Sequence, residues 1–173
     1  MKISELKDGD LLFIRGLSDI SKAITDIDRQ SCYSHVGIYF DGMIYHATSK
    51  YGVVRQNITE YLNEEEREVS VYRYPLIDCA KVKAEAVKYL GLPYNHTFYP
   101  DGEGFYCSQY VSKILPVFDN VPMKFGDDTH EVSQFWADYF AELGVKVPLG
   151  LEGTNPFQLS QSDTLVFIDM LEI

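Results

Sequence analysis

The chain has 173 residues, of which 46% are hydrophobic, so it is long enough to fold as one domain with its own apolar core. Its three cysteines, Cys32, Cys79 and Cys107, are widely spaced and form no CxxC pair, which argues against a disulfide framework or a structural zinc site. The net charge of −11 at pH 7, without any Lys/Arg run, argues against nucleic acid as a partner because phosphate backbones would be repelled.

The first predicted elements are a buried strand and an amphipathic helix. Residues 11–14 are apolar, follow the turn signal Gly9-Asp10 and predict a strand. From Ser18 to Gln30, apolar residues recur at i, i+3, i+4 and i+7, which predicts a helix with Ser18 as its N-cap.

A tight β-hairpin is predicted over residues 34–47. Two runs rich in β-branched and aromatic residues flank Asp41-Gly42, a dipeptide that suits the positive φ angles of a two-residue turn. This turn pairs Phe40 with Met43 and so fixes the register of the two strands.

The predicted register brings two histidines to one face of the hairpin. His46 lies opposite Gly37, and position 48 lies opposite His35, so the histidines are diagonal neighbours. Diagonal positions are roughly 7–8 Å apart, within reach of two imidazole rings, and Gly37 leaves the space between them free of side chain.

Three further segments lead to the third cysteine. A strand is predicted over 69–74, and Asp78 is the predicted N-cap of a helix that Gly91 terminates. A loop with several glycines and prolines then runs over 92–104 and places Cys107 at the start of the next helix.

The C-terminal part adds a helix over 131–143, which Gly144 ends, and a last strand over 164–170. Strands and helices come in blocks rather than in regular βαβ alternation. This order predicts an α+β fold, an antiparallel sheet packed with helices, in a single domain over residues 1–173.

No apolar stretch reaches the roughly 18 residues that cross a bilayer, and the N-terminus lacks the apolar region of a signal peptide. As written, the sequence predicts a soluble, cytoplasmic protein without a transmembrane segment. A location in the cell envelope or periplasm stays open, because removal of a leader would leave the same sequence. The oligomeric state is not indicated.

Cys107 is the candidate nucleophile. Unpaired backbone N–H groups and the positive end of the helix dipole favour a thiolate at a helix start, and the same N–H groups can stabilise an oxyanion. A thiolate nucleophile needs a base and a group that orients the base, and His35 and His46 supply the two. The alternative is structural: a buried cysteine and hydrogen-bonded core histidines.

Several segments together resemble one family of hydrolases. They are Gly9-Asp10, Tyr33-Ser34-His35-Val36-Gly37-Ile38, Gly91-Leu92-Pro93-Tyr94 and Phe105-Tyr106-Cys107-Ser108 followed by Val111. They are similar to the YiiX-like branch of the NlpC/P60 cysteine hydrolases, which has a circularly permuted papain-like fold with histidine before cysteine in the chain. The resemblance spans roughly residues 8 to 170.

The resemblance implies that Cys107 is the nucleophile, that His35 is the base and that a polar residue on the partner strand orients the base. YiiX-like members often carry Glu there, whereas this chain has His46. That difference is shared with lecithin–retinol acyltransferase-like relatives, which use two histidines and a cysteine. It leaves the substrate more open than the mechanism.

Two tyrosines are candidate substrate-binding residues. Tyr94 lies in a Gly-x-Pro-Tyr context like that of the family, and its hydroxyl is a candidate donor to the substrate or the oxyanion. Tyr106 precedes the nucleophile and is a candidate wall of the pocket. His96 and His130 lie in predicted loops without partners at metal-ligand spacing, so neither a metal nor another cofactor is expected.

The cysteine and the two histidines predict a cysteine hydrolase that acts through a thioester. The resemblance implies a bacterial enzyme that cleaves an amide bond, in a peptide, a cell-wall peptide or a γ-glutamyl-type amide. Two alternatives remain open: a lipid-directed acyltransferase or thioesterase, and a binding module that keeps the fold without the chemistry.

Overall fold

A computed structural model gives the fold of the chain, and it describes residues 1–16, 19–27, 32–64 and 67–173. The strands are β1 (Leu11–Arg15), β2 (His35–Phe40), β3 (Met43–Thr48), β4 (Gly52–Asn57), β5 (Glu68–Arg73), β6 (Val121–Pro122), β7 (Glu152–Gly153) and β8 (Val166–Met170). The helices are a 3₁₀ turn (Ile3–Glu5), α1 (Asp19–Thr25), α2 (Ile58–Asn63), α3 (Cys79–Lys88), α4 (Cys107–Ile114), α5 (Gln134–Leu143) and α6 (Pro156–Ser160).

A six-stranded sheet in the order β4-β3-β2-β1-β5-β8 forms the centre of the molecule. Every neighbouring pair in it is antiparallel. The short strands β6 and β7 pair separately. The predicted α+β architecture with an antiparallel sheet is therefore confirmed.

Each face of the sheet carries its own apolar cluster. One face packs against α3 and α4, with Val36, Ile38 and Phe40 of β2 pointing towards the helices. The opposite face packs against α2, with Ile44 and Tyr61 in that cluster. Because side chains alternate along a strand, His35 and His46 lie on the α2 side of the sheet.

The predicted hairpin between β2 and β3 is confirmed. Asp41 has φ 48° and Gly42 has φ 78°, the positive values that the two-residue turn requires. Phe40 pairs with Met43, and Ile38 pairs with Tyr45, as the predicted register demands.

Two predicted helices have different bounds. Helix α1 ends at Thr25 and not at Gln30, whereas the predicted N-cap Ser18 and residues 28–30 lie outside the described residues. Helix α5 begins at Gln134 because the Ser133 side chain accepts a hydrogen bond from the Trp136 amide, which makes Ser133 the N-cap.

The sequence analysis did not predict β4, α2 or α6. Helix α2 follows β4 directly, and Asn57 caps it by accepting hydrogen bonds from the amides of Thr59 and Glu60. Helix α6 begins at Pro156 after the N-cap Asn155. In the described part of the chain, no helix has the length and apolarity to span a membrane.

Candidate active site

Cys107 is the first residue of α4, as predicted. The preceding loop folds back so that the Phe105 amide donates to the Pro93 carbonyl at 3.2 Å. Gly104 allows this approach: its φ is 78°, and a β-carbon there would collide with the Pro93 carbonyl oxygen. The Gln109 side chain accepts from the Tyr106 amide at 3.1 Å and so fixes the start of the helix.

The strands β2 and β3 separate next to this helix start. Their pairing runs from the turn only as far as Ile38 and Tyr45, although β2 begins at His35 and β3 continues to Thr48. The separation leaves backbone groups of β2 without partners from β3.

The Val36 amide is one such group, and it points at the Cys107 sulfur. The Tyr39 amide donates to the Asp10 carbonyl on the β1 side at 2.8 Å. Amide directions alternate along a strand, so the Val36 amide points to the β3 side. A hydrogen bond from this amide favours the thiolate form of Cys107, which locates the sulfur in the gap between the two strands.

Burial dominates the ionisation of Cys107. The residue is 5% exposed, and burial raises the pKa of its thiol to about 11, although the amides of Val36, Ser108 and Cys107 lower it. The sequence predicted a helix start that favours the thiolate. The structure differs because desolvation of the charged sulfur outweighs the hydrogen bonds, so the resting group is a neutral thiol at pH 7.

His35 and His46 are in direct contact. The Nε2 atom of His35 lies 2.8 Å from Nδ1 of His46, and their ring centroids are 5.0 Å apart. A β-carbon at Gly37 would lie 2.7 Å from the Ile44 side chain and 3.1 Å from Cβ of His46, so glycine provides the space for this contact. The predicted pairing of the histidines is confirmed in geometry.

A third polar side chain continues the line of histidines. Nε2 of His46 lies 2.7 Å from Oε1 of Gln56 in β4. Gln56 pairs with Ile44 in the register of β3 and β4, which makes it a diagonal neighbour of His46 on the same face. The sequence does not point to Gln56, because no local signal in it predicts β4.

Both histidines are held in the neutral form. Burial lowers the pKa of His35 well below its ordinary range, with smaller contributions from His46 and Arg67. Burial also lowers the pKa of His46 to about 4; the hydrogen bond to Gln56 opposes this shift and the Arg67 charge adds to it.

Tyr61 and Arg67 cover the histidines on the α2 side. The ring of Tyr61 meets the ring of His46 edge-on, with centroids 4.8 Å apart. The guanidinium of Arg67 lies over the Tyr61 ring, 3.9 Å from the ring centroid. It also donates a hydrogen bond to the Tyr61 carbonyl at 3.0 Å. His46 beneath this stack is fully buried, whereas His35 is half-buried.

Cys107 and His35 approach the gap from different sides. Cys107 packs with the apolar cluster under α4, whereas His35 contacts His46 and Tyr61 on the α2 side. Among the hydrogen bonds of the described residues, none joins Cys107 to His35. Catalytic hydrogen bonds are often long or poorly aligned in unliganded enzymes and tighten when substrate binds.

An apolar pocket of about 50 Å³ lies against Cys107. Its aromatic and sulfur-containing walls include Tyr94, Phe98, Tyr106, Met123, Phe125 and Trp136. The pocket adjoins a groove of about 400 Å³, and both are lined by Ile24, Ile27, Val121, Lys124 and Asn155. Lys124 brings a cationic side chain to this otherwise mostly apolar surface.

Both candidate tyrosines line this pocket. Burial raises the pKa of Tyr94 well above its ordinary value, so its hydroxyl is a neutral donor. The Tyr106 hydroxyl accepts a hydrogen bond from the Thr154 amide at 3.2 Å. Thr154 also donates from its hydroxyl to that of Ser108 at 3.0 Å, which ties the start of α4 to the segment after β7.

The other singled-out residues take no part in the histidine contact, although the ring of His96 lies 5.0 Å from the ring of Tyr94, a wall of the pocket. His96 and His130 are exposed, and His130 contacts Asp127 on its own loop. Cys32 and Cys79 are half-buried.

A permuted papain-like domain is defined by this combination of antiparallel sheet, helix-start cysteine and preceding histidine strand. The model of the family described as "Permuted papain-like amidase enzyme, YaeF/YiiX, C92 family" matches residues 5–169, so the chain belongs to this family. No curated protein matches the chain.

A solved structure with the same fold is YiiX from Escherichia coli O157:H7. It superimposes with a TM-score of 0.80 at 23% sequence identity, over 94% of this chain and 96% of the other. That protein is described as a metalloprotein. Within the described residues of this chain, no group of three or more His, Cys, Asp or Glu is placed to hold a metal ion.

Proposed function

We propose that the chain is a cysteine hydrolase that cleaves an amide bond, with Cys107 as nucleophile, His35 as base and His46 as the residue that positions the base. The observation that carries this proposal is the 2.8 Å contact between His35 and His46 next to the strand gap that holds the Cys107 sulfur. A nucleophile, a base and a group that orients the base are the three parts that such a reaction requires.

The first half of the reaction forms a thioester. Because the resting thiol and imidazole are both neutral, His35 takes the thiol proton on its free Nδ1 as the sulfur attacks the substrate carbonyl. The tetrahedral intermediate collapses when His35 returns this proton to the leaving amine. The amine departs, and the acyl group stays on Cys107.

In the second half, His35 removes a proton from a water molecule that attacks the thioester. The carboxylic acid leaves, and the proton returns to the Cys107 sulfur. The N–H groups at the start of α4 are the proposed oxyanion donors in both halves, because they have no partners within the helix. Tyr94 is a proposed additional donor, and Tyr106 a proposed wall of the acyl site.

The proposed substrates are peptides, cell-wall peptides or γ-glutamyl-type amides of bacterial origin. The family description supports an amide bond. The apolar pocket beside Cys107 supports an apolar group next to the scissile carbonyl, and Lys124 supports an anionic group further along the groove.

A second candidate function is a lipid-directed acyltransferase or thioesterase. The observation that favours it is the apolar lining of the pocket against Cys107. It predicts binding to liposomes or detergent micelles and faster cleavage of long-chain esters or thioesters than of amides.

The experiment is a comparison of amide, ester and thioester substrates that share one acyl group, offered with short and long acyl chains. The proposal predicts amide turnover by the wild type and none by Cys107→Ala or His35→Ala. Turnover of long-chain esters alone would favour the second candidate, and amide turnover by Cys107→Ala would contradict the assigned nucleophile.

A further inference from the structure

Three adjacent strands each contribute one polar side chain to a continuous line on the α2 face of the sheet. His35 comes from β2, His46 from β3 and Gln56 from β4. The two contacts along the line are 2.8 Å and 2.7 Å, within hydrogen-bond distance for nitrogen and oxygen. The line ends at Gln56, away from the Cys107 side.

The side chain of Gln56 determines which ring nitrogens of the two histidines carry protons. An amide oxygen only accepts hydrogen bonds, so Nε2 of His46 must carry a proton to donate to Oε1 of Gln56. A neutral imidazole holds one proton, which leaves Nδ1 of His46 as an acceptor. Nε2 of His35 then donates to it, and the lone pair of His35 is left on Nδ1.

We propose that Gln56 is a positioning residue that sets the tautomer of both histidines and thereby leaves Nδ1 of His35 free to act as the base. This inference rests on the proposed function for its catalytic meaning. The opposite orientation, with a proton on Nδ1 of His46, would make His35 accept at Nε2. A neutral His35 would then carry its proton on the nitrogen that the reaction needs unprotonated.

The surroundings explain why a neutral amide suits this position. The guanidinium of Arg67 lies over the Tyr61 ring, and that ring meets His46 edge-on. The cation disfavours a second positive charge on the histidine pair. An amide orients His46 without drawing a second proton onto it, whereas a carboxylate would favour the imidazolium.

The tautomers are measurable without any substrate. In a His96→Gln/His130→Gln background, only His35 and His46 contribute imidazole signals, because the chain has four histidines. Two-bond ¹H–¹⁵N correlation spectra distinguish protonated from unprotonated ring nitrogens. At pH 7 the proposal predicts a proton on Nε2 of both rings and none on Nδ1.

Two substitutions at Gln56 then separate positioning from packing. Gln56→Leu keeps the approximate volume and removes the acceptor, so the Nδ1–H tautomer of His46 should become populated. Gln56→Glu keeps an acceptor oxygen, so the Nε2–H tautomer should persist, and the pKa of His46 should rise by roughly 1–3 units. Unchanged tautomers in Gln56→Leu, or a proton on Nδ1 of His46 in the parent protein, would overturn the proposal.

Kinetics give the second readout. Gln56→Leu should lower kcat by roughly 10–100-fold with little change in KM, as expected when a group that orients a reacting side chain is lost. At pH values above the pKa of His46 in this variant, Gln56→Glu should keep much of the wild-type kcat. The matched control is Gln134→Leu, an exposed position whose side chain contacts Asp138, and it should leave kcat unchanged.

The two proposals fail in different ways. If Cys107→Ala kept amide turnover, the proposed reaction would be wrong while the tautomer measurement would still stand. If Cys107→Ala were inactive but Gln56→Leu kept full kcat, the reaction would stand and the role of Gln56 would be overturned.

Discussion

At the scale of single residues, the proposed nucleophile and the proposed base are both neutral before reaction. Burial holds the Cys107 thiol protonated and the His35 imidazole unprotonated. The pair therefore differs from a preformed thiolate–imidazolium pair, in which the sulfur is already charged. Proton transfer to His35 must accompany attack, which makes the position of the His35 lone pair important for the rate.

Alkylation of Cys107 should report this state. Because the thiol pKa is raised to about 11, the thiolate fraction, and with it the rate of reaction with iodoacetamide, should rise about tenfold per pH unit from pH 7 to 10. Peptide mapping by mass spectrometry follows Cys107 separately from Cys32 and Cys79. A rate that is already constant between pH 6 and 8 would show a preformed ion pair instead.

Substitutions of His46 test its positioning role. His46→Glu should keep substantial activity because a carboxylate accepts the same hydrogen bond from His35, and Gln56 can turn its amide nitrogen towards it. His46→Ala should lower kcat by roughly 10–100-fold with less effect on KM, and His35→Ala should be worse than either. Full activity of His46→Ala would leave a Cys107–His35 dyad without this third member.

His46 also makes stability depend on pH. Its pKa is about 4 in the folded protein against an ordinary value of 6.5, so between these values the unfolded chain binds a proton that the folded chain does not. Stability should therefore fall as the pH drops from 6.5 to 4, by roughly 3 kcal/mol for this group. Urea unfolding at pH 7 and pH 4.5 should show a smaller loss for His46→Gln than for the wild type; equal losses would contradict the shift.

At the scale of elements, an ion pair between a buried carboxylate and a partly exposed guanidinium joins the start of β1 to the end of β5. Asp10 is fully buried and accepts two hydrogen bonds from Arg73, at 2.7 Å and 2.9 Å. It also accepts from the Lys7 amide at 2.8 Å. The Asp10 carboxylate thus organises the turn that precedes β1, while the backbone of the same residue binds β2 at Tyr39.

Asp10→Ala should lower the free energy of unfolding by roughly 1–3 kcal/mol, because it leaves the Lys7 amide and the partly exposed Arg73 guanidinium without their partner. The control is Glu68→Ala, which removes an exposed ion pair with Arg15 at 3.8 Å and should cost about 1 kcal/mol or less. Urea denaturation compares the two. Similar small losses would mean that this pair contributes no more than a surface one.

The hairpin could be predicted from the sequence because its information is local. Asp41-Gly42 fixes both the turn and the register, and the register alone brings His35 and His46 together. The next strand has no such signal. Residues 49–51 form a longer turn without a two-residue hairpin sequence, so neither β4 nor the place of Gln56 beside His46 follows from the sequence.

The ionisation of Cys107 required the structure for a different reason. The sequence locates the residue at a helix start, which favours the thiolate. The burial that reverses this preference comes from residues far along the chain, including Trp136 and Thr154, which line the pocket with it. Such long-range packing cannot be predicted from the residues next to Cys107 in the sequence.

At the scale of the whole molecule, the sheet separates two tasks. The helices α3 and α4 pack on one face, where α4 carries the proposed nucleophile, and α2 covers the histidine line on the other. The proposed reaction centre lies where the pairing of β2 and β3 ends. The family match over residues 5–169 is consistent with a fold that uses nearly the whole chain for this arrangement.

The central claim is that Cys107 carries the acyl group during turnover. Intact-protein and peptide mass spectrometry after rapid acid quench, with a mixture of amide substrates, should find an adduct of acyl mass on Cys107 that hydroxylamine removes as a thioester. His35→Ala should show far less adduct, and Cys107→Ala none. Turnover with an adduct on another residue, or with the same adduct in Cys107→Ala, would contradict the account.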